Sequence, residues 1–309
     1  MSSAGSLKMW LLETRPQFLI LTPMCVLVGV AAAAYEGFSL NAWHVVLALV
    51  GALLAHISVN VLNDYFDYRS GIDLAVRRTP FSGGSGILPA GLLKSRGVYL
   101  LGLGSLIGVG AIGIYFTIVH GWPILPLGIL GMVVVYLYTT HLTKSPLLCL
   151  IAPGLGFGPL MVVGTYFAQT GEYSITPVVA SLVPGFLVSN LLLLNQFPDV
   201  EADRGGGRYH ILISRGRRFS SRVYAALMAA TYISLALGVA LRVLPLTALV
   251  GLLTLPLGGK AVMGALKNCE DTEKLVPFLG LNVQVILLTT LLTGVGLLLG
   301  LALPDGLRW

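Results

Sequence analysis

The chain has 309 residues, of which 56% are hydrophobic and only 10% charged, and its mean hydropathy is +0.87. A soluble globular domain carries about a quarter charged residues, so this composition excludes one and specifies an integral membrane protein. The formal charge of +6 calls for no nucleic-acid partner, because the cations follow membrane topology, with a remainder for anionic lipid or an anionic substrate.

Apolar runs long enough to cross a hydrocarbon core of about 30 Å predict nine helices. They lie near 17–35, 43–63, 97–117, 122–139, 147–168, 176–196, 222–241, 244–265 and 278–302. The first could pass for a secretory signal ending in the alanines at 31–34, but it is long enough to span and is read as a helix. The runs are continuous, not alternating, which excludes a transmembrane β-barrel. Every Lys and Arg except Arg242 and Arg308 falls in the N-terminal segment or towards the ends that follow helices 2, 4, 6 and 8. The positive-inside rule then places the N-terminus in the cytoplasm and the C-terminus outside. The expected architecture is an all-α, multi-spanning membrane protein with nine transmembrane helices around a central cavity. Residues 1–309 read as one domain with two cytoplasmic motif loops, 68–96 and 197–222. Cys25, Cys149 and Cys269 have neither disulfide nor zinc-ligand spacing and read as packing residues.

The acids are where chemistry shows. Of 13 Asp and Glu, six fall in two short segments, one holding Asp64, Asp67 and Asp73, the other Asp199, Glu201 and Asp203. Each segment follows a long apolar run. An ionised side chain at bilayer mid-depth costs roughly 2.5–3.5 kcal/mol, so such groups are seldom incidental. On a helix, Asn60, Asn63, Asp64 and Asp67 share one face, and Asn195, Asp199 and Asp203 share another. Glu201 points away from that second face. Two such faces set opposite each other form a hard-oxygen site suited to Mg²⁺, which keeps waters and shares its ligation with substrate phosphates. Loop arginines supply the counter-charge that a diphosphate needs. Both halves place an Asn four residues before an Asp, as Asn63/Asp67 and Asn195/Asp199, and follow it with a basic, Gly-rich loop. This is a weak internal repeat with the site at its interface.

The two motifs, Asn63-Asp64-x-x-Asp67 and Asp199-x-x-x-Asp203, resemble those of the UbiA superfamily of intramembrane prenyltransferases, over nearly the whole chain. The stretches 63–73 and 157–171 are most similar to its MenA branch, the 1,4-dihydroxy-2-naphthoate polyprenyltransferases. The resemblance implies Mg²⁺-dependent transfer of a polyprenyl group from its diphosphate to an aromatic acceptor, with decarboxylation, in menaquinone biosynthesis. It implies two Mg²⁺ ions on Asp64, Asp67, Asp199 and Asp203, with Asn60, Asn63, Asn195 and Asp73 completing or orienting the shell. Arg208 and Lys144, and beside them Arg77, Arg78 and Arg204, become the diphosphate clamp. Tyr65, Tyr136, Tyr138 and Tyr166 become candidates to face an allylic cation. Two departures stand out: Arg208 takes a place where the family commonly has Lys, and Ser214 one where a basic residue is usual.

Other features read more plainly. The glycine-rich run 82–86 matches no nucleotide fingerprint and reads as a flexible lid, with phosphate cradling as the alternative. His44, His120, His141 and His210 show no metal spacing, and His56, one turn before Asn60, reads as a packing residue. Other acceptors (4-hydroxybenzoate, homogentisate, a lipid phosphoglycerol) or terpene cyclisation would use the same metal chemistry. A cation-coupled transporter is the alternative from another class, but transporters place such sites near mid-membrane on broken helices. The expected partners are a polyprenyl diphosphate, an aromatic acceptor and the lipid bilayer, in a bacterial or archaeal plasma membrane.

Overall fold

Among the residues that the computed structural model describes, 3–76 and 78–302, every regular element is a helix. The helices are α1 (Ser3–Glu13), α2 (Pro16–Tyr35), α3 (Ala42–Ser70), α4 (Ser95–His120), α5 (Trp122–Leu137), α6 (Pro146–Thr170), α7 (Ile175–Gly205), α8 (Arg217–Ala240), α9 (Leu246–Asn268) and α10 (Thr272–Gly300). Eight of them are long and apolar enough to cross a membrane, and α5 is a shorter apolar helix. These nine segments correspond to the nine apolar runs.

Local chemistry sets their ends. Asn41 accepts from the Trp43 and His44 N–H groups to cap α3, Ser174 accepts from Thr176 to cap α7, and Asp271 caps α10. Pro16 and Pro146 open α2 and α6, where a missing N–H costs nothing. Gly71 and Gly171, both left-handed, end α3 and α6. Helices α3 and α7 run further than the apolar runs at 43–63 and 176–196. Hydropathy stops at the first acids, but backbone hydrogen bonding continues through them. The loops read as 68–96 and 197–222 therefore begin inside helices, and a further short helix, Ile211–Arg215, forms within the second.

Successive helices are neighbours, and α10 closes the arrangement against α2. Without water to drive apolar surfaces together, close backbone approach and polar contacts hold membrane helices. A Cβ on Gly154 would lie 2.3 Å from the Gly185 carbonyl oxygen, and one on Gly158 2.6 Å from that of Ser181, so α6 and α7 meet at their backbones. Tyr224 Oη donates to Asn282 Oδ1 at 2.9 Å between α8 and α10, and the Thr254 and Thr289 hydroxyls meet at 2.7 Å between α9 and α10. Pro153 and Pro159 remove backbone donors from α6, which widens to a π turn at Gly156–Leu160. That turn faces a cavity of about 600 Å³, walled mainly by α2, α3, α4, α5, α6 and α7.

Candidate active site

Alternating direction brings the start of α2 and the ends of α3, α5 and α7 to one end of the cavity. Asp67 lies in the last turn of α3 and Asp203 in the last turn of α7. Helix C-termini already carry partial negative charge, so carboxylates there require cations. Two guanidiniums provide them. Arg208, just past α7, donates through Nη2 to both Asp67 oxygens at 2.5 Å and through Nη1 to Asp203 Oδ1 at 2.8 Å. One side chain thus joins the two acid motifs. Burial disfavours its charge, but Asp67 and Asp203 outweigh that and raise its pKa. On the far side of Asp203, His210 Nε2 meets Oδ2 at 3.0 Å.

Arg15 pairs with Asp64 and reaches Asn63 Oδ1 at 3.5 Å. Asp64 also accepts from the Ser85 N–H at 3.0 Å and is fully buried. Ser85 Oγ donates in turn to Glu13 Oε2 at 2.9 Å. Burial lowers the pKa of Arg15, against the opposing pull of Asp73, Asp67 and Glu13. Asn63 Nδ2 donates to Asp67 Oδ2 at 2.9 Å and lies 3.2 Å from Thr139 Oγ1, while Asn60 Nδ2 donates to the Thr14 carbonyl at 3.1 Å. Asn63 thereby orients Asp67, and Asn60 ties α3 to the segment before α2.

The glycine-rich loop closes over what remains. Gly83 and Gly84 are left-handed, with φ of 86° and 72°. A Cβ on Gly84 would stand 2.9 Å from both Asp73 oxygens, and Ser82 and the Gly83 N–H face Asp199. Burial, and then the charge of Asp67, push the Asp73 carboxyl up to about 7, against Arg15, Arg208 and Arg78. Several buried atoms here have no hydrogen-bond partner among the described residues. They are acceptors on Asp73 (Oδ2), Asn195 (Oδ1) and Asp199 (Oδ1), and the Nε–H donors of Arg15 and Arg208. All five residues line the cavity. Unpartnered oxygens of three side chains suit a hard cation, and unpartnered guanidinium donors suit an anion. Among the described residues no three His, Cys, Asp or Glu groups are gathered as for one ion; guanidiniums stand between the acids instead.

The residues singled out by sequence are thus sorted. Asn60, Asn63, Asp67, Asp73, Asn195, Asp199, Asp203, Arg208 and Tyr138 line one cavity. Asp64 stands behind it, held by Arg15. Of the tyrosines, Tyr138 alone faces the cavity, beside Cys149. Tyr65 packs on Tyr99 at 4.9 Å, and Tyr136 bonds the Tyr99 hydroxyl at 3.3 Å, both outside the cavity lining. Tyr166 lies at the opposite end of α6, where it donates to Glu36. Lys144 is exposed, Arg204 is exposed and pairs with Glu201 at 3.1 Å, and Arg78 bonds the Gly83 carbonyl of its own loop. Arg77 lies outside the described residues. Sequence reasoning missed Arg15, whose signal was an arginine immediately before the proline that opens the first span. It also missed Thr139, Ser85 and Glu13, which carry no pattern.

A profile of the UbiA prenyltransferase family matches residues 22–283. A 1,4-dihydroxy-2-naphthoate octaprenyltransferase of Haemophilus influenzae is 29% identical over 95% of this chain and 97% of its own length. Among solved structures, a UbiA homolog from Aeropyrum pernix K1 superposes with a TM-score of 0.67 at 17% identity, covering 92% of this chain and 98% of the other. A UbiA homolog from Archaeoglobus fulgidus, solved bound to GPP and Mg²⁺, gives a TM-score of 0.60 at 15% identity, over 92% and 99% of the two chains.

Proposed function

The chain belongs to the UbiA prenyltransferase family, and on that premise we propose that it transfers a polyprenyl group from its diphosphate to 1,4-dihydroxy-2-naphthoate, with loss of the acceptor's carboxylate. It is an enzyme, so the transport alternative falls away. The observation that carries the reading is the paired set of unsatisfied atoms at the acid end of an apolar cavity. Oxygens of Asp73, Asn195 and Asp199 await a cation, and the Nε–H groups of Arg15 and Arg208 await an anion. A metal-bound diphosphate satisfies both. The naphthoate acceptor follows from the Haemophilus relative's activity and from the similarity of the stretches 63–73 and 157–171 to the MenA branch.

Asp67 and Asp73 from one motif, and Asn195, Asp199 and Asp203 from the other, would hold divalent magnesium, two ions in keeping with two motifs, with Asp64 behind them. Bound there, the metal neutralises charge on the leaving diphosphate as a Lewis acid. Arg208 is the adaptable clamp. Held here between Asp67 and Asp203, it turns its donors to diphosphate oxygens once those acids have another counter-charge. The Ser82–Gly84 loop roofs the site, and its two left-handed glycines allow the backbone to lie against the acids. Below the acids the lining is apolar, from Leu191 and Leu192 down to Phe116 and Ile124. It keeps water from a developing allylic cation, and the Tyr138 ring offers its face to that charge. The prenyl tail lies along the same wall, where Gly113, Gly128 and Gly131 leave open space.

The test is direct. Purified protein receives Mg²⁺, a prenyl diphosphate and a panel of hydroxylated aromatic acids, and products are identified by mass spectrometry. The naphthoate product should form with CO₂ and pyrophosphate released in equal amounts. A preference for 4-hydroxybenzoate, with the carboxylate retained, overturns the acceptor and leaves the metal chemistry standing.

A further inference from the structure

His56 is the one imidazole among the residues that line the cavity. It sits on α3 at i, with Asn60, Asn63 and Asp67 at i+4, i+7 and i+11, so it continues the acid face into the apolar part. The rise of a helix places it about 6 Å below Asn60 and about 10 Å below Asn63. Its ring is held from two sides. Thr22 Oγ1 on α2 bonds Nδ1 at 2.8 Å, and the Phe157 ring, carried by the π turn of α6, meets it edge to face at 4.6 Å between centroids. The residue is 5% exposed. Nδ1 is taken, whereas Nε2 has no partner among the described residues and is not among the sealed, unsatisfied atoms of the core. A polar atom fixed in direction and left open, in a wall otherwise apolar at that depth, calls for a polar group on whatever enters.

We propose that His56 is a catalytic residue that contacts a ring hydroxyl of the aromatic acceptor through Nε2 and relays its proton. The proposal rests on the preceding reading to the extent that a hydroxylated ring enters this cavity. In the tautomer whose Nδ1–H donates to Thr22, Nε2 presents a lone pair. As the ring carbon's electron pair forms the bond to the allylic carbon, the C–O bond to the diphosphate breaks with its pair leaving on oxygen. The ring hydroxyl becomes a ketone, and its proton passes to Nε2. The C–CO₂ bond then breaks, its pair returns to the ring, CO₂ departs, and the ketone oxygen recovers the proton from His56. No proton is gained or lost overall, so one imidazole suffices. Thr22 is the positioning residue that fixes the tautomer, and Phe157 stands beside the bound ring.

The experiment compares wild type with His56→Ala, His56→Gln and Thr22→Val in detergent-purified full-length protein. General acid–base catalysis contributes about 10²-fold or more. With the acceptor that wild type turns over, kcat should fall about 10²-fold in both His56 variants and less in Thr22→Val. The KM for prenyl diphosphate and the affinity for pyrophosphate with Mg²⁺ should stay within about twofold. Imidazole added to the buffer should restore part of the rate to His56→Ala and leave wild type unchanged. Full turnover in either His56 variant overturns the proposal. So does a loss in which kcat, donor KM and melting temperature fall together with no imidazole rescue, which marks a role in packing α2 on α3. Should His56→Ala not fold, His56→Gln retains the size and an amide for Thr22. A wild type that prenylates no hydroxylated ring, yet binds pyrophosphate with Mg²⁺, fails the acceptor reading first and removes this relay with it.

Discussion

Arg208 shows how a single residue decides what the acids can do. With it in place, Asp67 and Asp203 are a three-member buried ion cluster, and removing one partner of such a cluster leaves an uncompensated charge that costs about 3–5 kcal/mol. Asp199 differs, because one of its oxygens faces the cavity with no donor. Asp199→Ala should therefore remove chemistry with little damage to the fold. Turnover is expected to drop about 10³-fold or more, consistent with several kcal/mol of charge stabilisation, while size-exclusion behaviour stays that of wild type. Arg204→Ala is the matched control. Its partner Glu201 is exposed, as Arg204 is, and such pairs contribute about 0–1 kcal/mol, so its initial rate should remain within about twofold. A rate retained in Asp199→Ala would remove Asp199 from the metal site.

At the scale of elements, α6 carries the strongest constraint. It has two internal prolines, a π turn, and two glycines pressed on α7, and it presents Phe157 to the cavity. Gly158→Val would drive a side chain into the Ser181 carbonyl and the Gly185 backbone, which cannot rotate away as a side chain can. Overpacking of this kind costs typically about 1–3 kcal/mol, and backbone contact places it at the upper end. Melting in detergent should fall by several degrees, with activity lost as Phe157 shifts. A Cβ on Gly131 of α5 meets nothing within 4 Å, so Gly131→Val should melt as wild type does. Equal melting of the two variants would mean that α6 and α7 do not pack at their backbones.

For the whole molecule, the arrangement sets every acid of the two motifs, Arg15 and Arg208 at one end and Glu36, Tyr166 and Ser174 at the other. Among the described residues, Lys and Arg cluster towards the acid end, and only Arg242 belongs to the opposite side. By the positive-inside rule the acid end is expected to face the cytoplasm. Single cysteines at Lys94 and Arg242, in a background lacking Cys25, Cys149 and Cys269, should respond oppositely to a membrane-impermeant thiol reagent applied to intact cells. Position 242 should be labelled and position 94 protected, and the reverse pattern would turn the protein over.

The sequence by itself determined the nine apolar segments, the end of the molecule at which the acids gather, and the pairing of the two acid motifs. These follow from hydropathy, from the cost of burying charge, and from helical period, all of which are local. Only the tertiary structure decided which members of each pattern reach the cavity. Period alone could not separate Asp64 from Asp67, since both lie on the broad polar face of α3; Arg15 and the Ser85 amide draw one back and leave the other forward. Nor could it tell Tyr138 from Tyr65, Tyr136 and Tyr166, because each is an aromatic near a helix end, and the neighbour across the gap decides. The guanidinium between Asp67 and Asp203, the loop over Asp73 and Asp199, and the open nitrogen of His56 are contacts between segments distant in sequence. Their physical basis is the partner, and the partner exists only once the helices have packed.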